Sequence, residues 1–277
     1  MLKTIVKKSK TLLGLDLAWA HRYYKKRAKM YFLYYRSRLR GLEYLEMVVD
    51  GLRLKFSFLH PYHHLFAWNL HKGIHETNEL IMWKKKAAEQ TSGVILDLGG
   101  YNGVFGLLAA AANPNVEVYI VEPDPINMAH IRKNIALNHL KNIFAIEAAV
   151  SDTDGTVSFT RSDGGTSGVI SKSASTYQVP CMSIDTWCER EKKQPVLIKC
   201  DIEGAEYKAL VGMKKLLRES CELNILFELH YNFLKRFGDT EEDIWKLFKE
   251  YNYRAIWLDK DEFNEHYWIF RQSTVLK

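Results

Sequence analysis

Val94-Ile95-Leu96-Asp97-Leu98-Gly99-Gly100-Tyr101-Asn102-Gly103 is the stretch that decides the fold. A short apolar run, Val94 to Leu96, reads as a buried strand, and the aspartate and glycines that close it read as a tight turn. Nineteen residues past Gly103, Glu122 ends a second apolar run, Val118 to Val121. Strand, glycine turn, helix and strand, with an acid at the tip of the second strand, make a nucleotide-binding half-unit. Glycines let the backbone approach a ligand, and the acid accepts hydrogen bonds from ribose hydroxyls. Asp97 separates two kinds of ligand. A dinucleotide site offers bare backbone N–H groups to a pyrophosphate, which a carboxylate repels. A carboxylate suits a cofactor with a cationic ammonium and sulfonium, S-adenosylmethionine. The spacing Gly99-Gly100-x-x-Gly103-x-x-Gly106 also departs from the G-x-G-x-x-G of dinucleotide sites. The expectation is a methyl-donor site, with NAD as the competing reading.

Outward from this unit, strands and helices alternate. Helix is expected over 127–138, strand over 143–150, strand over 196–200, helix over 205–217 and strand over 224–230. A helix over 241–251 and a strand over 253–258 follow, and a last strand over 266–271 lies close enough to its predecessor to pair antiparallel. Residues 155–184 break the rhythm as a β-hairpin insertion around Asp163-Gly164-Gly165. Repeated βα units predict an α/β fold: a Rossmann-like, doubly wound, mostly parallel sheet with ligands at the carboxyl ends of its strands. Upstream, residues 46–59 suggest a hairpin turning at Asp50-Gly51, and 80–88 a helix leading into the first core strand. The chain thus divides into an arm, 1–45, and an α/β domain, 46–277, with a lead-in over 46–92.

At 277 residues the chain can bury one large core, and 47% hydrophobic with 26% charged residues is ordinary for a globular enzyme. The four cysteines, Cys181, Cys188, Cys200 and Cys221, contain no C-x-x-C pair, which argues against a disulfide framework or zinc ribbon and for a reducing cytoplasm. Lysines 3, 7, 8 and 10 followed by Leu12 to Ala20 imitate a secretion signal, but Asp16 interrupts it, and no cleavage is expected. Charge is uneven: residues 1–40 hold twelve of the 39 Lys/Arg and one of the 33 acids, a balance of +11 that leaves −5 for the rest. In the arm, Tyr24, Ala28, Tyr31, Tyr35, Leu39 and Leu42 recur at helical steps, with Arg22, Lys25, Lys29, Arg36 and Arg40 offset from them. Such a helix suits an anionic membrane surface, on its inner face, or a polyanion; the alternative is a stripe that packs on the body. Half of the ten histidines lie between His60 and His75, as loop or pocket residues unless geometry makes a metal site.

Leu197-Ile-Lys199-Cys-Asp201-Ile-Glu203-Gly204-Ala-Glu206 goes beyond a generic fold. Its Lys-x-Asp-x-Glu-Gly-x-Glu resembles the FkbM family of S-adenosylmethionine-dependent methyltransferases. Three further segments are similar to that family in order: Asp97 to Gly103; Glu122-Pro123-x-Pro125-x-Asn127 with Asn134; and Ala148-Ala149-Val150-Ser151. The likeness spans about residues 75–271. It departs at Tyr101, where the family carries Asn. It implies cofactor contacts at Asp97, Gly99, Gly100, Tyr101, Gly103, Glu122, Pro123, Ala149 and Asp201, and O-methylation of hydroxyls on sugars, glycans or related small molecules.

The residues agree in one respect. Enzymes that methylate planar nitrogen commonly carry Asn/Asp-Pro-Pro-aromatic after this strand, where this chain has Asp201-Ile-Glu203-Gly204. Methyl transfer to a neutral alcohol requires its proton to leave, so a carboxylate or imidazole must lie within reach. Asp201 and Glu203, with Glu228 and His230 on the next strand, are the candidate catalytic residues. The same carboxylates could hold Mg²⁺ instead. Two other readings compete: an RNA methyltransferase gripping its substrate with the arm, and a non-catalytic nucleotide-binding module. Pro180-Cys181 resembles a cytosine-C5 nucleophile but falls in the hairpin insertion.

Overall fold

The computed structural model describes residues 28, 31–59, 61–72, 77–160, 168–169, 176–260 and 264–271. The amino-terminal half of the arm, His60, His75 and the Asp163-Gly164-Gly165 turn lie outside the described residues.

Two strands, β1 (Tyr44–Val49) and β2 (Leu52–Ser57), form an antiparallel hairpin. They turn at Asp50 (φ 45°) and Gly51 (φ 82°), the left-handed pair that a tight two-residue hairpin needs. Next come β3 (Val94–Leu98), β4 (Glu117–Val121) and β5 (Ile143–Ile146), then β6 (Ala149–Val150), β7 (Gly155–Thr160), β8 (Gly168–Val169) and β9 (Thr176–Met182). The remaining strands are β10 (Pro195–Cys200), β11 (Asn224–Leu229), β12 (Tyr253–Lys260) and β13 (Glu265–Arg271).

The central sheet runs β12-β13-β11-β10-β3-β4-β5. Its strands from β11 to β5 pair in parallel, and β13 runs antiparallel to both β11 and β12. This is the expected doubly wound, mostly parallel sheet with an antiparallel last strand. Every residue of β3 and β10 is buried, as central strands covered on both faces must be. The order reverses between β3 and β10, and at such a switch point the strand ends leave a crevice.

Three expectations need correction. Residues 143–150 are not one strand: β5 stays in the central sheet, while β6 joins a second sheet, β6-β9-β7-β8. The insertion is therefore a small sheet around Phe159, Val179 and Cys181, in which β7 and β9 form the hairpin. The helix expected over 205–217 is two, Glu206–Val211 and Lys214–Glu219. Gly212 breaks it, because a Cβ there would stand 2.1 Å from the Ser151 carbonyl oxygen and its own carbonyl accepts from Asp185 N–H at 2.9 Å. Pro61–His71, whose histidines were expected in a loop or a pocket, is a helix and not a loop; it is followed by the helix Thr77–Ala88.

The lead-in belongs to the core. Met47, Leu54, Phe56 and Trp83 share a cluster with Ile95, Leu107, Leu108 and Ile120, and Trp83 Nε1 donates to Phe105 O at 2.8 Å. Of the arm, residues 31–39 are helical. Tyr34 meets Phe58 edge-on at 6.2 Å, and His64 Nε2 is 2.8 Å from Ser37 Oγ. No helix among the described residues is long and apolar enough to cross a membrane.

Candidate active site

The glycine turn follows β3 and holds its shape from within. Gly99 N–H and Gly100 N–H both donate to Val121 O, at 2.9 and 3.2 Å, and Tyr101 N–H donates to Glu122 Oε2 at 2.9 Å. Gly103 N–H closes on Gly100 O at 2.6 Å. With these donors engaged, the turn is no nest for a pyrophosphate. Gly99 (φ +84°) is required on two counts, since a Cβ would also lie 1.7 Å from the Asp201 carbonyl oxygen. Gly100 answers a different need from ligand approach: its Cβ would strike Ile120 Cγ2 at 2.1 Å. Gly103 (φ 82°) opens the helix Val104–Ala112.

Asp97 lies near the end of β3, where the turn begins. It is buried beneath it, and Oδ2 accepts from Gly106 N–H at 2.8 Å, bracing the first turn of that helix. Glu122 stands at the tip of β4 and accepts from Asp124 N–H at 2.8 Å as well as from Tyr101. Burial raises its carboxyl to about 7, against the lowering effect of those hydrogen bonds. Pro123 is half-buried beside it, leading into Asp124, whose side chain caps the helix Pro125–Leu137. Ala149 lies instead in the apolar cluster of the second sheet, with Phe159, Val179 and Cys181.

Tyr101 adopts φ 48°, a left-handed conformation that Asn tolerates better than a ring. Its ring meets His63 and Phe66 edge-on, at 5.6 and 5.3 Å, so the helix Pro61–His71 caps the turn. Asn102, the next residue, is buried with Oδ1 accepting from Val104 N–H at 3.2 Å. Among the described residues of the histidine window, His63, His64 and His71 turn to different partners. His63 stacks on His130 at 3.9 Å and reaches Asn127 Oδ1 at 3.2 Å, His64 turns to Ser37, and exposed His71 donates to Glu46 O at 2.7 Å. Burial lowers His64 to about 4 and His130 to about 3, which keeps both neutral.

Across Gly99, the ends of β10 and β11 bring all four candidate catalytic residues together. His230 is the hub. Its Nδ1 lies 2.8 Å from Glu206 Oε1, and its Nε2 lies 3.4 Å from Glu228, 3.6 Å from Asp201 and 3.7 Å from Glu203. Lys199, almost fully buried, reaches Asp201 at 2.9 Å and Glu228 at 3.4 Å. Burial disfavours a charged His230, but the hydrogen bond and charge of Glu206, with Asp201 and Glu228, outweigh it and raise the imidazole to about 10. Burial likewise opposes ionised Asp201, yet Lys199 and His230 hold it below the usual carboxylate range. Glu203 is pushed up to about 7 by burial and by the charges of Asp201 and Glu206, against the pull of His230. Near neutral pH, His230 is therefore an imidazolium, Asp201 an anion, and Glu203 the group able to exchange a proton. Asp201, Glu203 and His230 offer ligand atoms within 4.8 Å of one another, but Lys199 and the imidazolium already supply cations there. His266, 3.6 Å from Glu228, and Asn264, donating to Glu228 at 2.9 Å, were not foreseen. They arrive through the antiparallel pairing of Glu228 with His266, which no local motif announces.

The methyltransferase FkbM domain matches residues 97–255, more than half of the chain. The chain belongs to this family of methyltransferases. Among curated proteins, none matches it. Solved structures similar to it include a precorrin-6y C5,15-methyltransferase from Geobacter metallireducens GS-15. That likeness is 12% identity over 73% of this chain and 92% of that one, with a TM-score of 0.47. The SAM-dependent methyltransferase from Agrobacterium tumefaciens is 11% identical over 83% and 70%, also at 0.47. TYW2 of M. jannaschii, solved with AdoMet, is 12% identical over 82% and 84%, at 0.41. The family methyltransferase thus keeps its turn, its acid at β4 and its Lys-x-Asp-x-Glu-Gly-x-Glu run around one crevice.

Proposed function

We propose that this methyltransferase transfers the methyl group of S-adenosylmethionine to a hydroxyl oxygen of a sugar, glycan or related small molecule, with Glu203 as the general base. The cofactor fits what the turn offers. Its backbone donors are engaged, and what remains nearby is carboxylate: Glu122 for ribose hydroxyls, and Asp97 and Asp201 as negative charge for a cationic end. Gly99, Gly103 and Pro123 shape the same wall. When bound, the cofactor supplies an electrophilic methyl group.

The carrying observation is the position of Glu203. It sits at φ 57°, a left-handed backbone, one residue from Gly204 and within the cluster that follows β10. A non-glycine residue held there is strained, and such strain gathers at functional sites. Its carboxyl titrates near neutral pH, where a general base works best. His230 and Lys199 hold Asp201 as an anion and Lys199 also reaches Glu228, while Glu206 holds the imidazole by Nδ1. An acceptor hydroxyl within reach of Glu203 would give up its proton to that carboxylate while its oxygen took the methyl group and the donor's carbon–sulfur bond broke.

Labelled methyl donor incubated with hydroxylated metabolites, glycans and RNA finds the acceptor. Glu203→Gln then lowers kcat by about 10²- to 10⁴-fold, the usual contribution of a positioned base, with cofactor binding intact. The wild-type rate rises with pH through about 7, and the variant loses that limb. Methylation confined to RNA, or a variant with near wild-type turnover, rejects the proposal.

A further inference from the structure

The arm's apolar stripe does not lie where a packing role requires. Successive helical residues are about 100° apart. Leu33, Tyr34 and Ser37 face one way, and that face is the docked one, through Tyr34 on Phe58 and Ser37 on His64. Phe32, Tyr35 and Leu39 cluster on the opposite side within an arc of about 60°. They are 63%, 57% and 89% exposed. Exposed Arg36 flanks this ridge on one side and Arg38 on the other, with Arg40 in the turn that follows. The described part of this helix is thus fixed by one face and bare on the other, with its bare face apolar in the middle and cationic at the edges.

We infer that this ridge docks the protein on an anionic lipid bilayer. The pattern is that of a helix lying in the membrane interface: aromatic rings and a leucine enter the headgroup boundary, and flanking arginines meet lipid phosphates. The charge beside it agrees, since residues 1–40 carry a balance of +11 and the rest of the chain −5. Nucleic acid is the poorer occupant. Phe32 and Tyr35 could stack on bases, but Leu39, the most exposed of the three, offers neither stacking nor a hydrogen bond. The docked face holds the ridge rigidly, so the bilayer sets the orientation of the body. This inference is independent of the acceptor proposed above.

The test uses the full chain with vesicles of phosphatidylcholine alone and with about a third phosphatidylserine, a strongly anionic surface. The wild type co-sediments with the anionic vesicles only. Phe32→Ser/Tyr35→Ser/Leu39→Ser, which leaves every arm charge in place, reduces the bound fraction at least about tenfold, as expected when the apolar anchor is lost. Arg36→Glu/Arg38→Glu/Arg40→Glu does the same. Both variants keep the wild-type melting temperature, because the altered side chains point away from the body. Three results overturn the inference: apolar-variant binding equal to wild type, anionic binding found for RNA but not vesicles, or a wild-type dimer that the apolar variant converts to monomer.

Discussion

Lys199→Met tests the charge cluster most directly. The side chain is 2% exposed, its ammonium lies 2.9 Å from Asp201 and 3.4 Å from Glu228, and it stands 4.8 Å from the centre of the Phe105 ring. Methionine keeps most of the stem, so the change removes charge more than packing. Four carboxylates, Asp201, Glu203, Glu206 and Glu228, then share one imidazolium. Removing one partner of a buried pair costs about 3–5 kcal/mol, because the other is left uncompensated. For a chain of this size that corresponds to a fall in melting temperature of about 6–20 °C. The loss must also depend on pH. In the wild type Asp201 is held below its unfolded value, so its stabilising contribution is complete above that value and is lost as pH falls through the folded one. Without Lys199, Asp201 titrates higher and takes up a proton sooner, which relieves the repulsion. The gap between variant and wild type is therefore widest near pH 8 and narrows toward pH 5. Denaturant unfolding across that range measures it. A loss under about 1 kcal/mol, or a gap that does not change with pH, refutes the reasoning.

Gly99→Ala sets a Cβ against the Asp201 carbonyl and forces a left-handed alanine; a loss above about 2 kcal/mol and abolished cofactor binding are expected, and near-neutral unfolding would show that the turn can give way. Glu122→Gln weakens S-adenosylmethionine in calorimetric titration and removes a pH dependence: wild-type affinity rises from pH 6 to 8 as the carboxylate ionises through about 7, and the variant's stays level.

Much of this architecture was legible because single local signals carried it. The continuous apolar run of β3, the glycines after it and Glu122 after β4 needed no tertiary information, nor did Asp50-Gly51. The gathering of Asp201, Glu203, Glu228 and His230 followed from adjacent strand ends. The helix Pro61–His71 escaped because it is engaged on several sides, with His63 turned to Asn127 and the next residue, His64, to Ser37; no one-sided stripe results. The break at Gly212 depends on the Ser151 carbonyl, sixty-one positions away by residue number, and the division between β5 and β6 on a partner, β9, thirty-two residues on. The protonation pattern was the least visible. Which acid holds a proton is set by distances between side chains from three strands, and the sequence shows only that the acids are there.

The order of the central sheet sets a limit on modularity. The matched FkbM segment ends at residue 255, within β12, yet β12 pairs with the sheet through β13, which begins at Glu265. It starts at residue 97, after the lead-in that supplies Met47, Phe56 and Trp83 to the core. The matched segment therefore leaves out the strand that attaches its edge and part of the wall that fills its interior. A fragment cut at residues 97 and 255 would strip β12 of its partner strand and uncover the apolar residues that Met47, Phe56 and Trp83 pack against.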